Sequence, residues 1–275
     1  MALDWSFDPA SALVIGVLAA TWLALVRRHR AWRPTRAVAA GAAFAAAIVA
    51  TQSGVATHDT ESFTAHVLQH VLLGMVVPVC AALAAPLTLV LQAADETTRR
   101  VVRSALRHPV ARVLSNPLVG FVAFGASLAV LTFSPLLDTA ARNDVVHVGV
   151  HAHLVLVGCV FVWPVVGVDP IPHRPGHGAR LLVVLASVPF HAFVGAALLT
   201  ASAPVLEVYP SIDDQRRAAG LLWGAGELFT LGVAAVVFVD WYRTERRRGA
   251  RADRLADAAD AADGQSANRA NAAGT

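Results

Sequence analysis

Three features of the sequence predict an all-α polytopic membrane protein, a bundle of seven transmembrane helices. The chain of 275 residues is 56% hydrophobic and only 15% charged, where an ordinary soluble domain carries roughly 25% charged residues. Seven apolar stretches approach the ~20 residues that cross a hydrocarbon core. The basic residues gather in alternate connections between those stretches. Too little polar surface is available to cover a water-facing globule, so lipid is the expected solvent.

The spans fall at about 10–27, 37–53, 63–92, 117–137, 144–167, 180–202 and 217–241. The first reads as a span rather than a cleaved leader, because no basic residue precedes it and Arg27, Arg28 and Arg30 come after it. The second is short and Ala-rich. Connections 27–36, 93–116 and 168–180, with the segment after Trp241, hold 19 of the 22 arginines; Arg142, Arg216 and Arg217 lie on the other side. The positive-inside rule then places the N-terminus outside and the C-terminus in the cytoplasm. Residues 1–243 form the transmembrane domain on this reading. Residues 244–275, with no apolar stripe, form a disordered cytoplasmic tail. In 96–114, arginines alternate with Val101, Val102, Leu106 and Val113 at helical spacing, which fits a helix on the anionic inner leaflet. A solvated charged connection fits equally well.

Composition excludes several chemistries. All 22 basic residues are arginine, so there is no lysine for a phosphate-binding loop, a Schiff base or a general base. Cys80 and Cys159 lie apart within apolar runs and make no metal-binding spacing.

Ionisable side chains within spans are expensive and point to function. His66 and His70 in the third span stand one helical turn apart, and His147 and His151 repeat the pattern in the fifth. At 1.5 Å per residue, each pair lies about 5 and 10 Å below the outer start of its helix. If the two helices face each other, these four histidines form a metal site. His153 is about 200° round the helix from His151 and points elsewhere. His191 in the sixth span and Glu227 in the seventh lie about 16 and 15 Å deep. A mutual hydrogen bond is their simplest account, and an orienting role beneath a metal is the alternative. Asp214 lies just outside the seventh span. His153, His191, Asp214 and Glu227 are therefore secondary candidates. Taken singly, a histidine near the interface is more often a hydrogen-bonded packing residue; the matched pairs favour metal or haem.

Four ordered motifs carry a resemblance. They are Phe63 to Pro86 with its His66-x-x-Gln69-His70 start, and His147-x-x-x-His151-x-His153 running through Trp163-Pro164 to Gly167-x-Asp169-Pro170-x-Pro172. Pro189-Phe190-His191-Ala192-Phe193-x-Gly195 is the third, and Asp214-Gln215 with Gly220, Trp223, Gly226 and Glu227 the fourth. Across spans three to seven the chain resembles the multispan CtaG-type cytochrome c oxidase assembly factors. It departs from them at Val67 and Val71, where members often carry methionine, and at Ala218 and Ala219, where glycines are usual. The resemblance implies a non-enzymatic factor of the prokaryotic plasma membrane that helps to mature a haem-copper oxidase by assisting copper insertion. Its implied partners are the oxidase catalytic subunit and an extracytoplasmic copper carrier; no nucleic acid is expected.

Imidazole suits Cu(II), Zn, Fe and Ni, whereas Cu(I) favours sulfur. With two methionines and two cysteines, a methionine-rich Cu(I) shuttle is excluded. Copper at an outer-leaflet histidine cluster is the leading reading. A metal-free assembly scaffold ranks second, a bis-His haem protein third, and a seven-span zinc hydrolase using Glu227 or Asp214 as base last.

Overall fold

Prolines and short polar side chains set where the helices begin. The computed structural model describes residues 5, 7–29 and 31–273, with side chains described as far as 255, and every regular element among them is helical. Helix α1 (Pro9–Arg28) starts behind Asp8, whose carboxylate accepts from the Ala10 and Ser11 amides. The Ser11 hydroxyl holds that carboxyl below its ordinary range. Helix α2 (Pro34–Gln52) runs into the single turn α3 (Gly54–Thr57). The third long stretch is composite. It comprises α4 (Phe63–Val71), a π-helical turn (Leu72–Val76), α5 (Val77–Ala84) and α6 (Pro86–Ala93).

Two short surface helices come next, α7 (Glu96–Arg107) and α8 (Pro109–Leu114). Helix α9 (Pro117–Phe133) breaks before α10 (Leu136–Arg142). Helix α11 (Asp144–Val166) is continuous, whereas α12 (His177–Ala186) and α13 (Val188–Thr200) meet at Ser187, next to Pro189. Helix α14 runs from Ile212 to Ala273. Its backbone stays helical through 244–273, and its described side chains from Glu245 to Leu255 are exposed; those beyond 255 lie outside the described residues.

Six stretches are long and apolar enough to cross a membrane. The predicted fourth span, 117–137, is the exception: α9 ends at Phe133 and α10 leaves it at 69°, so the two make a seventh span only as a bent pair. The cause is local. Ser134 is extended (φ −123°, ψ 165°) ahead of Pro135, and a residue before proline is driven out of the α region.

The third span breaks at Ala85, a fully buried residue in the left-handed region (φ 56°). That conformation is uncommon for a residue with a Cβ. The first turn of α6, immediately beyond it, is strongly held. There the buried Asp169 carboxylate accepts from the Leu87 and Thr88 amides, the Thr88 hydroxyl and Trp163 Nε1. The Gly167-x-Asp169 motif thus ties the end of α11 to the start of α6. At the same end, buried Arg180 donates to the Val165 and Val166 carbonyls and pairs with Asp240 at 2.9 Å. A guanidinium there satisfies carbonyls left free by the helix terminus and opposes its negative pole.

The core lies among α4, α5, α9, α11, α13 and α14. Helix α1 buries nothing and packs only at the edge, on α2 and α6. Its exposed Leu13, Val14, Val17 and Leu18 would be unfavourable in water, whereas in a bilayer they meet hydrocarbon.

Candidate metal centre

The composite third span and α11 approach closely at Gly158. A Cβ at Gly158 would collide with the Gly74 carbonyl oxygen and with Pro78. Small residues at such crossings let membrane helices approach closely, and here they set α11 against the π-turn and α5. At the same end of the bundle as the histidines, Asn143 caps α11 and Ser62 caps α4. Asp214, from the first turn of α14, reaches across to accept from the Phe63 amide and the Thr64 hydroxyl, both at 2.6 Å. With both helix ends fixed, their histidines sit at matching depth.

All four primary candidates come together. Ring centroids lie 4.1 Å apart for His66–His70, 4.2 Å for His147–His151, 5.5 Å for His66–His147 and 5.7 Å for His70–His151. One ring nitrogen each from His66, His70 and His147 lies within 4.8 Å of the others. The Nε2 atoms of all three are buried without a hydrogen-bond partner. Buried polar atoms are normally paired, with protein, water or an ion, and three together are unusual. Tetrahedral zinc–imidazole bonds of about 2.1 Å would set the nitrogens about 3.4 Å apart, within reach of small side-chain rotations.

Hydrogen bonds fix which nitrogens carry lone pairs. The Tyr209 hydroxyl donates its one proton to the Asp59 main-chain carbonyl, which can only accept. His66 Nδ1, 3.0 Å from the same oxygen, must then donate to it. That leaves His66 Nε2 unprotonated and free to bind a metal. The opposite holds at His151. Gln69 donates from Nε2 to the Ala50 carbonyl, one of the acceptors freed by the end of α2, and so presents Oε1 to His151 Nε2 at 3.0 Å. His151 Nε2 therefore carries the proton. His151 lines the cluster, but the three histidines with a ring nitrogen within 4.8 Å of one another are His66, His70 and His147.

Asp59 stands 3.6 Å from His147 Nε2. Burial raises its carboxyl above the usual range, with the His147 ring opposing the shift. Neither Asp59 nor Tyr209 was expected from the sequence. Both sit in connections without periodicity; the available signals were an acidic residue three before the Ser62 cap and one of only two tyrosines.

The secondary candidates stand apart from the cluster. His153 points away, as its helical angle requires, and bonds Ser127 at 2.6 Å. Asp214 holds the first turn of α4 from outside, alongside the Ser62 cap. The expected hydrogen bond between His191 and Glu227 is not made: neither His191 ring nitrogen has a partner, and the ring is packed by Phe124 and Phe229. Gly226 explains this geometry. A Cβ there would strike the imidazole, so the ring fills the space beside the α14 backbone, while Glu227, one residue on, projects about 100° away.

The family described as cytochrome c oxidase caa3 assembly factor (Caa3_CtaG) matches residues 17–244, which include every residue of the cluster. The chain belongs to that family. Uncharacterised proteins of Mycobacterium bovis and Mycobacterium tuberculosis are each 33% identical over 92% of this chain, and one of Mycobacterium leprae is 32% identical over the same share. The chain spans 42% of the length of these relatives. No solved structure matches it. The matched region holds both the helical bundle and its histidines.

Proposed function

We propose that this chain assists copper delivery to the catalytic subunit of a haem-copper oxidase, with the ion as cargo at His66, His70 and His147. The supporting observation is three histidines that each bring one ring nitrogen within 4.8 Å of the others, with Nε2 atoms buried and without hydrogen-bond partners. Imidazole suits Cu(II) and zinc, and the Asp59 carboxylate beside His147 offers charge compensation. The cavity beside the rings, of about 70 Å³, is far too small for a porphyrin. That disfavours the haem reading. Asp214, one of the two carboxylates weighed as a hydrolytic base, is engaged with the first turn of α4.

On the positive-inside argument the cluster lies toward the outer face, the side from which an extracytoplasmic carrier would deliver copper. A reporter fused after residue 250 is expected to be active only in the cytoplasm; outer activity would reverse the orientation. Binding is tested by metal and haem analysis of full-length protein purified from membranes. About one copper per chain is expected, lost in the His66→Ala, His70→Ala double variant while its helical content persists. Equal metal in both proteins, or none in the wild type, would favour the scaffold reading.

A further inference from the structure

Below the histidines lies a cavity of about 70 Å³. His66 and His70 form part of its wall, and Met75 forms another part. The remaining wall is almost wholly apolar, with Leu128, Leu131 and Val157 prominent. Met75 is 5% exposed and is the one methionine among the described residues. In a regular α-helix it would stand about 140° round from His70. The π-turn at Leu72–Val76 changes this: its i→i+5 closure absorbs the extra residue and brings Met75 back toward the histidine face. Helical side chains also lean toward the N-terminus, so the thioether covers the turn that carries His70.

We propose that Met75 is a sulfur ligand for monovalent copper, holding the ion with His70 at a second, deeper position. This rests on the reading of the histidine cluster as a copper site. The chemistry differs between the two levels. Three imidazoles beside a carboxylate suit the harder ion at the outer position, whereas a thioether selects Cu(I). A single charge is also less costly to hold in an apolar cavity than a double one. A packing role alone would ask only for a flexible apolar filler and would not need the thioether to share a wall with two imidazoles.

The test uses the full-length protein with selenium in place of methionine sulfur, loaded anaerobically with one equivalent of Cu(I). X-ray absorption at the copper edge is expected to show a selenium neighbour, absent from the labelled Met75→Leu variant. That variant nearly conserves volume and should fold. It should also lose at least about tenfold in Cu(I) affinity against a Cu(I) chelator while keeping Cu(II) affinity. Copper bound through nitrogen and oxygen alone would overturn the role of Met75 and leave the histidine site standing. No retained copper in the wild type would defeat the histidine reading, and this inference with it.

Discussion

At His66 a hydrogen bond to one nitrogen decides the chemistry of the other. The chain Asp59 carbonyl, Tyr209 hydroxyl, His66 Nδ1 leaves the Nε2 lone pair facing the cluster. Partners of this kind orient metal-binding imidazoles, and their loss costs about 10–100-fold in affinity. Tyr209→Phe should therefore weaken copper binding about tenfold at least in a metal titration, with little change in the amount of protein in the membrane. Unchanged affinity would show that the tautomer is set by something else. The histidine pairs were legible in the sequence because i,i+4 spacing is a property of one helix. Asp59 and Tyr209 were not, because they reach the site through connections whose paths only tertiary packing determines. His191 and Glu227 misled for a related reason. Equal depth says nothing of angle about the axis, and the close contact at Gly226 set the angle.

Among the elements, α4 depends most on help from outside itself. Its first turn is held by Asp214 of α14 through the Phe63 amide and the Ser62 and Thr64 hydroxyls. Losing a helix cap costs about 0.5–2 kcal/mol, so Asp214→Ala should lower stability by about 2 kcal/mol in a detergent unfolding titration. It should weaken metal binding only slightly, since no ligand is removed. A stability unchanged by the substitution would contradict this hold on the first turn. The sequence showed where apolar runs begin and end, and its span boundaries agree closely for the third and fifth stretches. It did not show the bends. The helix start beyond the left-handed Ala85 is held by the remote Asp169, which leaves no local pattern. The break at Pro135 was legible in principle, since a proline well inside an apolar run restricts the residue before it.

For the whole molecule, the separation of charge and ligands gives the arrangement its direction. Arginine-rich connections and the Arg180–Asp240 pair occupy one end of the bundle, and the histidines, Asp59 and Tyr209 the other. Imidazole must be unprotonated to bind, so sufficient acidification should release copper. Copper delivery itself is read from the copper content of the mature oxidase. Cells carrying His70→Gln or His147→Gln in this chain would be grown at limiting copper, and copper per haem measured in the purified oxidase. If the histidines carry the cargo, the variant chains reach normal levels in the membrane and the oxidase is deficient in copper, partly restored by added copper through mass action. Full copper occupancy of the oxidase in both variants would contradict a delivery role for the cluster.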